Sequence, residues 1–248
     1  MSRLKQFRGH WWRAALAIFA LVAPVAAALS PGSPLPASSV STEASDSITV
    51  ARLRYEGGGD WYANPSSLPN LLREIRTRTG IAVAGREVAV SLTDPSLPDY
   101  PWLYMTGHGT VRLSPRERVA LREYLLGGGF LHADDNYGLD ESLRRELAAV
   151  FPERPLVEIP ASHPVFHQLY DFPEGLPKIH EHDGKPPQAL GIFDEGRLLV
   201  FYSYESDLGD GWEDADVHQD PAQTREAALQ MGVNLFLYAL GGAGGGQP

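Results

Sequence analysis

His180-Glu181-His182-Asp183 is the string whose chemistry is easiest to read. In an extended segment residues two apart point the same way, so His180 and His182 could share one divalent ion with Asp183 or Glu181 beside them. The plainer alternative is a polar loop between Pro177 and Pro186-Pro187 whose imidazoles bond to backbone. His132-Ala133-Asp134-Asp135-Asn136 sets two carboxylates side by side, and they repel unless a cation, a proton or backbone N–H groups offset them. Asp134 and Asp135 are therefore candidates for general-base, nucleophile or metal-ligand work, against the ordinary role of capping the next segment. Thr106-Gly107-His108-Gly109 carries an imidazole on a loop whose glycines expose backbone N–H groups. That suits acid/base work by His108 or anion binding, against a tight turn that simply needs glycine. His132 is expected as a hydrogen-bonded core histidine, and His163-Pro164-Val165-Phe166-His167 as a short helical turn in which His163, not His167, is the candidate to face a cleft.

Glu56-Gly57-Gly58-Gly59-Asp60-Trp61-Tyr62 has the glycine content of a phosphate cradle but neither the G-x-G-x-x-G nor the Walker spacing, and no lysine beside it. A polyhydroxylated ligand fits better: Trp61, Tyr62, Tyr137, Tyr204 and Trp212 interleave with Asp60, Asp134, Asp207 and Asp210. Flat apolar faces beside hydrogen-bonding carboxylates suit a carbohydrate-like surface, although scattered surface aromatics would read the same way. The candidate ligand-binding set is thus Glu56, Asp60, Trp61, Thr106, Gly107, Gly109, Asn136, Tyr137, Asp207 and Trp212. The only cofactor that these residue types suggest is a divalent metal.

Alternating strands and helices must position these groups. Ile48–Tyr55 alternates like a strand and runs into the glycine turn; a helix is expected over Ser67–Thr79, then short strands over Glu87–Leu92 and Trp102–Met105. Ser114-Pro115-Arg116-Glu117 predicts a capping box with proline at the first helical position, and Gly127-Gly128-Gly129 ends that helix. Phe130–Ala133 reads as a buried strand and Asp140–Val150 as a second capped helix. Ala189–Phe193 and Leu198–Ser203 flank the turn residues Asp194-Glu195-Gly196-Arg197, a hairpin, and Asp220-Pro221-Ala222-Gln223 caps a last helix ending at Gly241-Gly242. Such alternation implies a parallel sheet covered on both faces, with ligands at the carboxyl ends of its strands. The loops after the four expected parallel strands then carry Glu56 to Trp61, Asp94, Thr106 to Gly109 and Asp134 to Asn136.

The 248 residues, 43% of them hydrophobic, suffice for one core. The absence of cysteine excludes disulfides, thiolate metal sites and every cysteine nucleophile. Arg3, Lys5, Arg8 and Arg13 precede an apolar run ending in Ala26-Ala27-Ala28, which predicts a secretory leader over 1–28 and an exported, periplasmic or extracellular protein. A retained N-terminal anchor is the alternative, but the run is short and broken by Pro24. Residues 29–47 read as a Ser/Pro/Ala linker, 48–242 as the domain and 243–248 as a flexible tail. Without the leader's four basic residues the formal balance is 17 basic against 31 acidic, or −14, which argues against nucleic acid as a partner.

Tyr104-Met105-Thr106-Gly107-His108-Gly109, Gly127 through Gly138 and Asp207-Leu208-Gly209-Asp210-Gly211-Trp212 together resemble the bacterial family known as domain of unknown function 4159, of the glutamine-amidotransferase-like and ThuA-like group. The resemblance spans about Ile48 to Gly242. It implies a flavodoxin-like three-layer α/β/α fold, and it carries no established activity. In working amidotransferases of that fold a cysteine nucleophile sits between a strand and a helix; the corresponding segment here, Phe130–Asn136, has Asp134 and Asp135 instead, so glutaminase chemistry is out of reach. Three functions follow as expectations. The first is a binding domain for a small polar or carbohydrate-like ligand; the second is a metal-assisted hydrolase using His108, Asp134, Asp135 and His182; the third is an envelope protein-interaction module.

Overall fold

The computed structural model describes residues 47–180 and 182–242. The expected leader, all but the last residue of the expected linker, Glu181 and the 243–248 tail lie outside the described residues. Seven strands form one sheet: β1 (Val50–Leu53), β2 (Val88–Val90), β3 (Trp102–Met105), β4 (Phe130–Asp134), β5 (Val157–Glu158), β6 (Gln188–Asp194) and β7 (Arg197–Tyr204), in the order β2-β1-β3-β4-β7-β6-β5. Pairings from β2 through β7 are parallel, and β6 and β5 add on antiparallel. The sequence suggested four parallel strands. The fifth is β7, and its pairing with β4 brings Glu205 to Asp207 to the same sheet edge as Asp134 to Asn136.

Strands β1, β3 and β4 are buried at every position, as parallel strands covered on both faces must be. One face packs helix α1 (Ser67–Thr79) and helix α6 (Ala222–Gly242) through Leu68, Leu71, Leu72, Ile75, Val233 and Phe236. The other packs α2 (Pro115–Leu126) and α3 (Asp140–Val150) through Leu121, Leu125, Leu143 and Leu147. Two short helices, α4 (Leu208–Trp212) and α5 (Ala215–His218), follow β7 and were not anticipated. No helix of the described residues is long and apolar enough to cross a membrane.

Local signals explain most boundaries. The capping box of α2 forms in full, Ser114 Oγ accepting from Glu117 N and Glu117 from Ser114 N. The β6–β7 turn places Glu195 and Gly196 at φ 48° and 83°, the two left-handed positions of a tight hairpin. Helix α3 lacks the expected side-chain cap: Leu139 occupies the N-cap position, while Asp140 bonds Arg144 and Tyr202.

The chain leaving β1 is fixed by a buried arginine. Arg52, 3% exposed, donates to the Ala63 carbonyl at 2.7 Å, the Asn64 carbonyl at 3.2 Å and Ser67 Oγ at 3.4 Å, and faces Glu87 at 3.4 Å. It thus ties the 61–64 segment to the start of α1. Removing the guanidinium would leave buried carbonyls and a carboxylate without their partner. Arg52→Met is expected to lower the unfolding free energy by about 3 kcal/mol, read from the midpoint of a urea titration, and a change below about 0.5 kcal/mol would rule out this anchoring role.

Candidate functional site

The carboxyl ends of β3, β4 and β7 meet on one edge, where Ile179 and His180 bond the Ser206 carbonyl. At its centre Asp134, fully buried, closes β4. Its carboxylate accepts from Ser203 Oγ (2.5 Å), Gly209 N (2.6 Å), Leu208 N (3.1 Å) and Tyr104 OH (3.2 Å). With four donors and no exposure it cannot act as a nucleophile; it holds the start of α4. Gly209 is required for that approach, because a Cβ there would lie 2.5 Å from Tyr104 OH and 2.9 Å from both Asn64 Nδ2 and Asp134 Oδ2. His132 behind it bonds Ser203 Oγ at 2.9 Å, as a core histidine should, and burial drives its imidazole down to about 3.

Helix α4, so anchored, presents Asp210. Its Oδ2 lies 3.0 Å from His180 Nδ1 and 3.5 Å from His218 Nδ1, and its Oδ1 accepts from Asn64 Nδ2 at 2.7 Å. The other nitrogen of His218 is 3.0 Å from Glu213 Oε2. The three donor atoms of His180, Asp210 and His218 lie within 4.8 Å of one another. Two ligand atoms each about 2.1 Å from a tetrahedral ion are about 3.4 Å apart, so these spacings suit one ion. The contacts of Asn64 with Asp210 and of His218 with Glu213 are of the kind that orient residues able to hold a metal.

Of the three residues expected to bind metal, His180 joins this group. His182 instead sets Nε2 at 2.8 Å from Asp207 Oδ2 with its ring perpendicular to that of Tyr137, and Asp183 is exposed, with Lys185 3.4 Å away. Neither His182 nor Asp183 shares the His180 position. Asn64, Asp210, Glu213 and His218 were missing from the expected set. Their spacing, from 64 to 218, carries no local pattern, and only β7 and α4 bring them together.

The other expected residues divide by exposure. His108 and Asp60 form an exposed pair, ring to carboxylate at 3.1 Å, with His108 N also donating to Asp60. Trp61 is half-buried against Tyr62, while Tyr137 is 64% exposed. Gly107 sits on the Tyr55 hydroxyl at φ 140°, and Gly109 N donates to the Tyr137 carbonyl at 3.2 Å, so the β3 and β4 loops touch. Glu56 pairs with Arg112 through its backbone, its carbonyl accepting from Arg112 N at 2.6 Å. Thr106 and Asn136 are fully buried. Trp212 is a correction to the ligand-lining set: it is fully buried between Tyr104 and His132 and donates to the Ala228 carbonyl, so it is core. Tyr204 is likewise buried, and His163 packs on Phe193 and Tyr238 rather than facing the cleft.

Negative charge dominates this edge. Asp134, Asp135, Asp207 and Asp210 are all buried, and among the described residues none is paired with an arginine or lysine. Burial pushes Asp134 up to about 6 against the hydrogen bonds of Ser203, Gly209 and Leu208, and Asp135 up to about 7, with Asp140 and Asp134 adding to the rise. Burial, then the Asp210 and Asp134 carboxylates, raise Asp207 well above its usual range. Strain gathers here too: Asn64, Glu205, Asp207 and Gln219 all hold φ between 56° and 61°.

A carboxyl raised in the folded state binds its proton more tightly there than unfolded. The stability it contributes is complete below the unfolded value of about 3.9 and is lost as pH rises through the folded one. His132 has the opposite sign, but its contribution is complete above about 6.5. In metal-free buffer, stability is therefore expected to fall by about 1 kcal/mol from pH 6.5 to 8 through Asp135, and Asp135→Asn should flatten that share of the slope. Equal slopes in thermal melts of the two proteins would contradict this assignment.

A search of curated proteins returns no match. The family model described as domain of unknown function (DUF4159) matches residues 49–240, and the chain belongs to that family.

Proposed function

We propose that the strand-end edge binds a divalent cation through His180, Asp210 and His218 and uses it for metal-assisted hydrolysis of a small polar substrate. The observation that carries this reading is the His–Asp–His cluster with its two orienting contacts, Asn64 on Asp210 and Glu213 on His218. The side chain of His180 is 42% exposed, so an ion held there would keep a side open to water or substrate, the arrangement of catalytic rather than structural sites. The ion would bring bound water into the range of a neutral-pH nucleophile. His108, exposed and steadied by Asp60 on the neighbouring loop, is a group available to move the proton. Tyr137 and Trp61 offer flat faces for a carbohydrate-like ligand beside these groups.

The architecture supports placing the site here. The parallel strands run in the order β2-β1-β3-β4-β7, which is the flavodoxin-like 2-1-3-4-5 arrangement once β7 is counted as the fifth parallel strand, and ligands of such folds sit at carboxyl strand ends. We infer a flavodoxin-like, amidotransferase-like ancestry on that order, with the cysteine chemistry replaced. The basic and apolar pattern of residues 3–28 supports export to the envelope.

Metal content decides between hydrolase and simple binding domain. Purified protein loaded with Zn2+ or Mn2+ and passed through a desalting column is expected to retain the ion, and a saturating excess of about 100 times Kd to stabilise it by about 2.7 kcal/mol. His218→Ala should abolish retention, and Glu213→Gln should weaken it about 10- to 100-fold. Protein that retains no ion and melts identically with and without metal would leave the ligand-binding reading in its place.

A further inference from the structure

The glycine turn after β1 has no lysine beside it in sequence, but the fold supplies two arginines from elsewhere. Glu56, Gly57 and Gly58, together with Thr110, Arg112 and Arg145, line a cleft of about 360 Å³, room for a small ligand. The turn is seated on the 110–112 segment by three bonds: Gly59 N to the Thr110 carbonyl at 3.0 Å, Arg112 N to the Glu56 carbonyl at 2.6 Å, and Thr110 Oγ to the Gly57 carbonyl. Glycine is required for that seat. A Cβ on Gly57 would stand 2.7 Å from Arg112 N and 2.8 Å from the Thr110 carbonyl oxygen, and its φ is 121°. Val111 N donates to Ser142 Oγ at 3.0 Å, which ties the same segment to the first turn of α3. Arg145, three residues further on, shares that side of α3 and so lines the cleft.

The donors gathered here lack acceptors. The exposed Arg112 side chain forms no ion pair or hydrogen bond with the described residues. Arg145 stands 3.9 Å from Glu146 Oε1, but that carboxylate is already held by Arg118 at 2.8 Å. The N–H groups of Gly57 and Gly58 donate to nothing among the described residues. Glu56 is the one carboxylate lining the cleft, against two guanidiniums, in a chain whose formal net charge is −10. A guanidinium presents paired N–H donors that match the oxygens of a carboxylate or phosphate, and the N–H groups of a glycine turn add donors of their own. Two guanidiniums and two free backbone N–H groups offer more than the two oxygens of a carboxylate can accept, and they suit the three terminal oxygens of a phosphate monoester.

We infer that this cleft binds the phosphate group of a small phosphorylated ligand through Arg112, Arg145 and the Gly57–Gly58 backbone. The same two loops continue into the exposed Asp60–His108 pair, Asp60 N donating to the His108 carbonyl at 3.2 Å, so cleft and pair are contiguous. The site uses no metal ion and stands independently of the His180–Asp210–His218 reading.

The probe is inorganic phosphate, titrated calorimetrically into full-length protein in metal-free buffer of low ionic strength. One phosphate per chain is expected, with an affinity that falls as NaCl is raised. Arg112→Gln and Arg145→Gln, both at exposed positions, should each weaken binding about 10-fold or more while leaving the thermal melt unchanged. The double variant should abolish binding, Glu56→Gln should tighten it, and His218→Ala should bind as the wild type does. Phosphate that never saturates, or that binds the wild type and the double variant equally, overturns the site. Weaker binding in Glu56→Gln overturns it as well, since that result marks a cation at the carboxylate, and loss in His218→Ala moves the phosphate to the other centre. Glucuronate that binds more tightly than phosphate in the same titration overturns the assignment to a phosphate group.

Discussion

The strand-end edge is organised around one carboxylate whose oxygens are fully occupied by donors. Asp134 ends β4 with no solvent contact and accepts from two consecutive backbone N–H groups, Leu208 and Gly209, at the start of α4. Those bonds cross from the middle of the sheet to the segment after β7, and they set where the first turn of α4 begins. Ser203 and Tyr104 complete the set from β7 and β3, so three parallel strands and a helix are joined at one side chain. The position of Asp210, one residue beyond Gly209, follows from it.

Around that anchor the protein concentrates what folding ordinarily avoids. Buried carboxylates without basic partners cost free energy, and left-handed backbone at non-glycine residues costs more. Asn64, Glu205, Asp207 and Gln219 carry that backbone, and each either belongs to the acidic edge or adjoins one of its histidines. The rest of the molecule shows the opposite economy: β1, β3 and β4 bury every residue, and the two helical layers pack aliphatic side chains against both sheet faces. A stable sheet held by both layers can support a strained edge, since the strain is confined to loops whose ends are already fixed.

Much of the scaffold was legible in the sequence, because the signals that set it are local. The α2 capping box, the hairpin turn at Glu195-Gly196 and the buried runs of β3 and β4 each lie within a few residues. The strand-end rule selected the loops that carry His108 and Asp60, which the structure places side by side. What escaped was non-local. His180, Asp210 and His218 are 30 and 8 residues apart, and nothing in their immediate neighbours links them. Backbone bonds from Ile179 and His180 to the Ser206 carbonyl bring the first to the segment after β7, and the parallel pairing that places that segment beside β4 was hidden because a hairpin signal says which strands are antiparallel but not which other strand the second arm will meet. Trp212 misled for a related reason: beside Asp210 it reads as a ligand-facing aromatic, yet the α4 turn directs it inward onto Tyr104 and His132.

The difference between a carboxylate whose oxygens are all taken by donors and one that faces imidazoles is likewise invisible until donors are assigned to its oxygens. Asp134 and Asp210 are both buried aspartates at this edge, and sequence reasoning favoured the first because it sits in the conspicuous Asp134-Asp135 pair. Asp134 receives backbone amides and hydroxyls, groups that stabilise its charge but leave no lone pair for a ligand. Asp210 receives one amide from Asn64 and turns its other oxygen to two imidazole nitrogens, groups that can exchange a proton for a metal ion. Nitrogen partners of that kind, more than acidity or burial, distinguish Asp210 from Asp134.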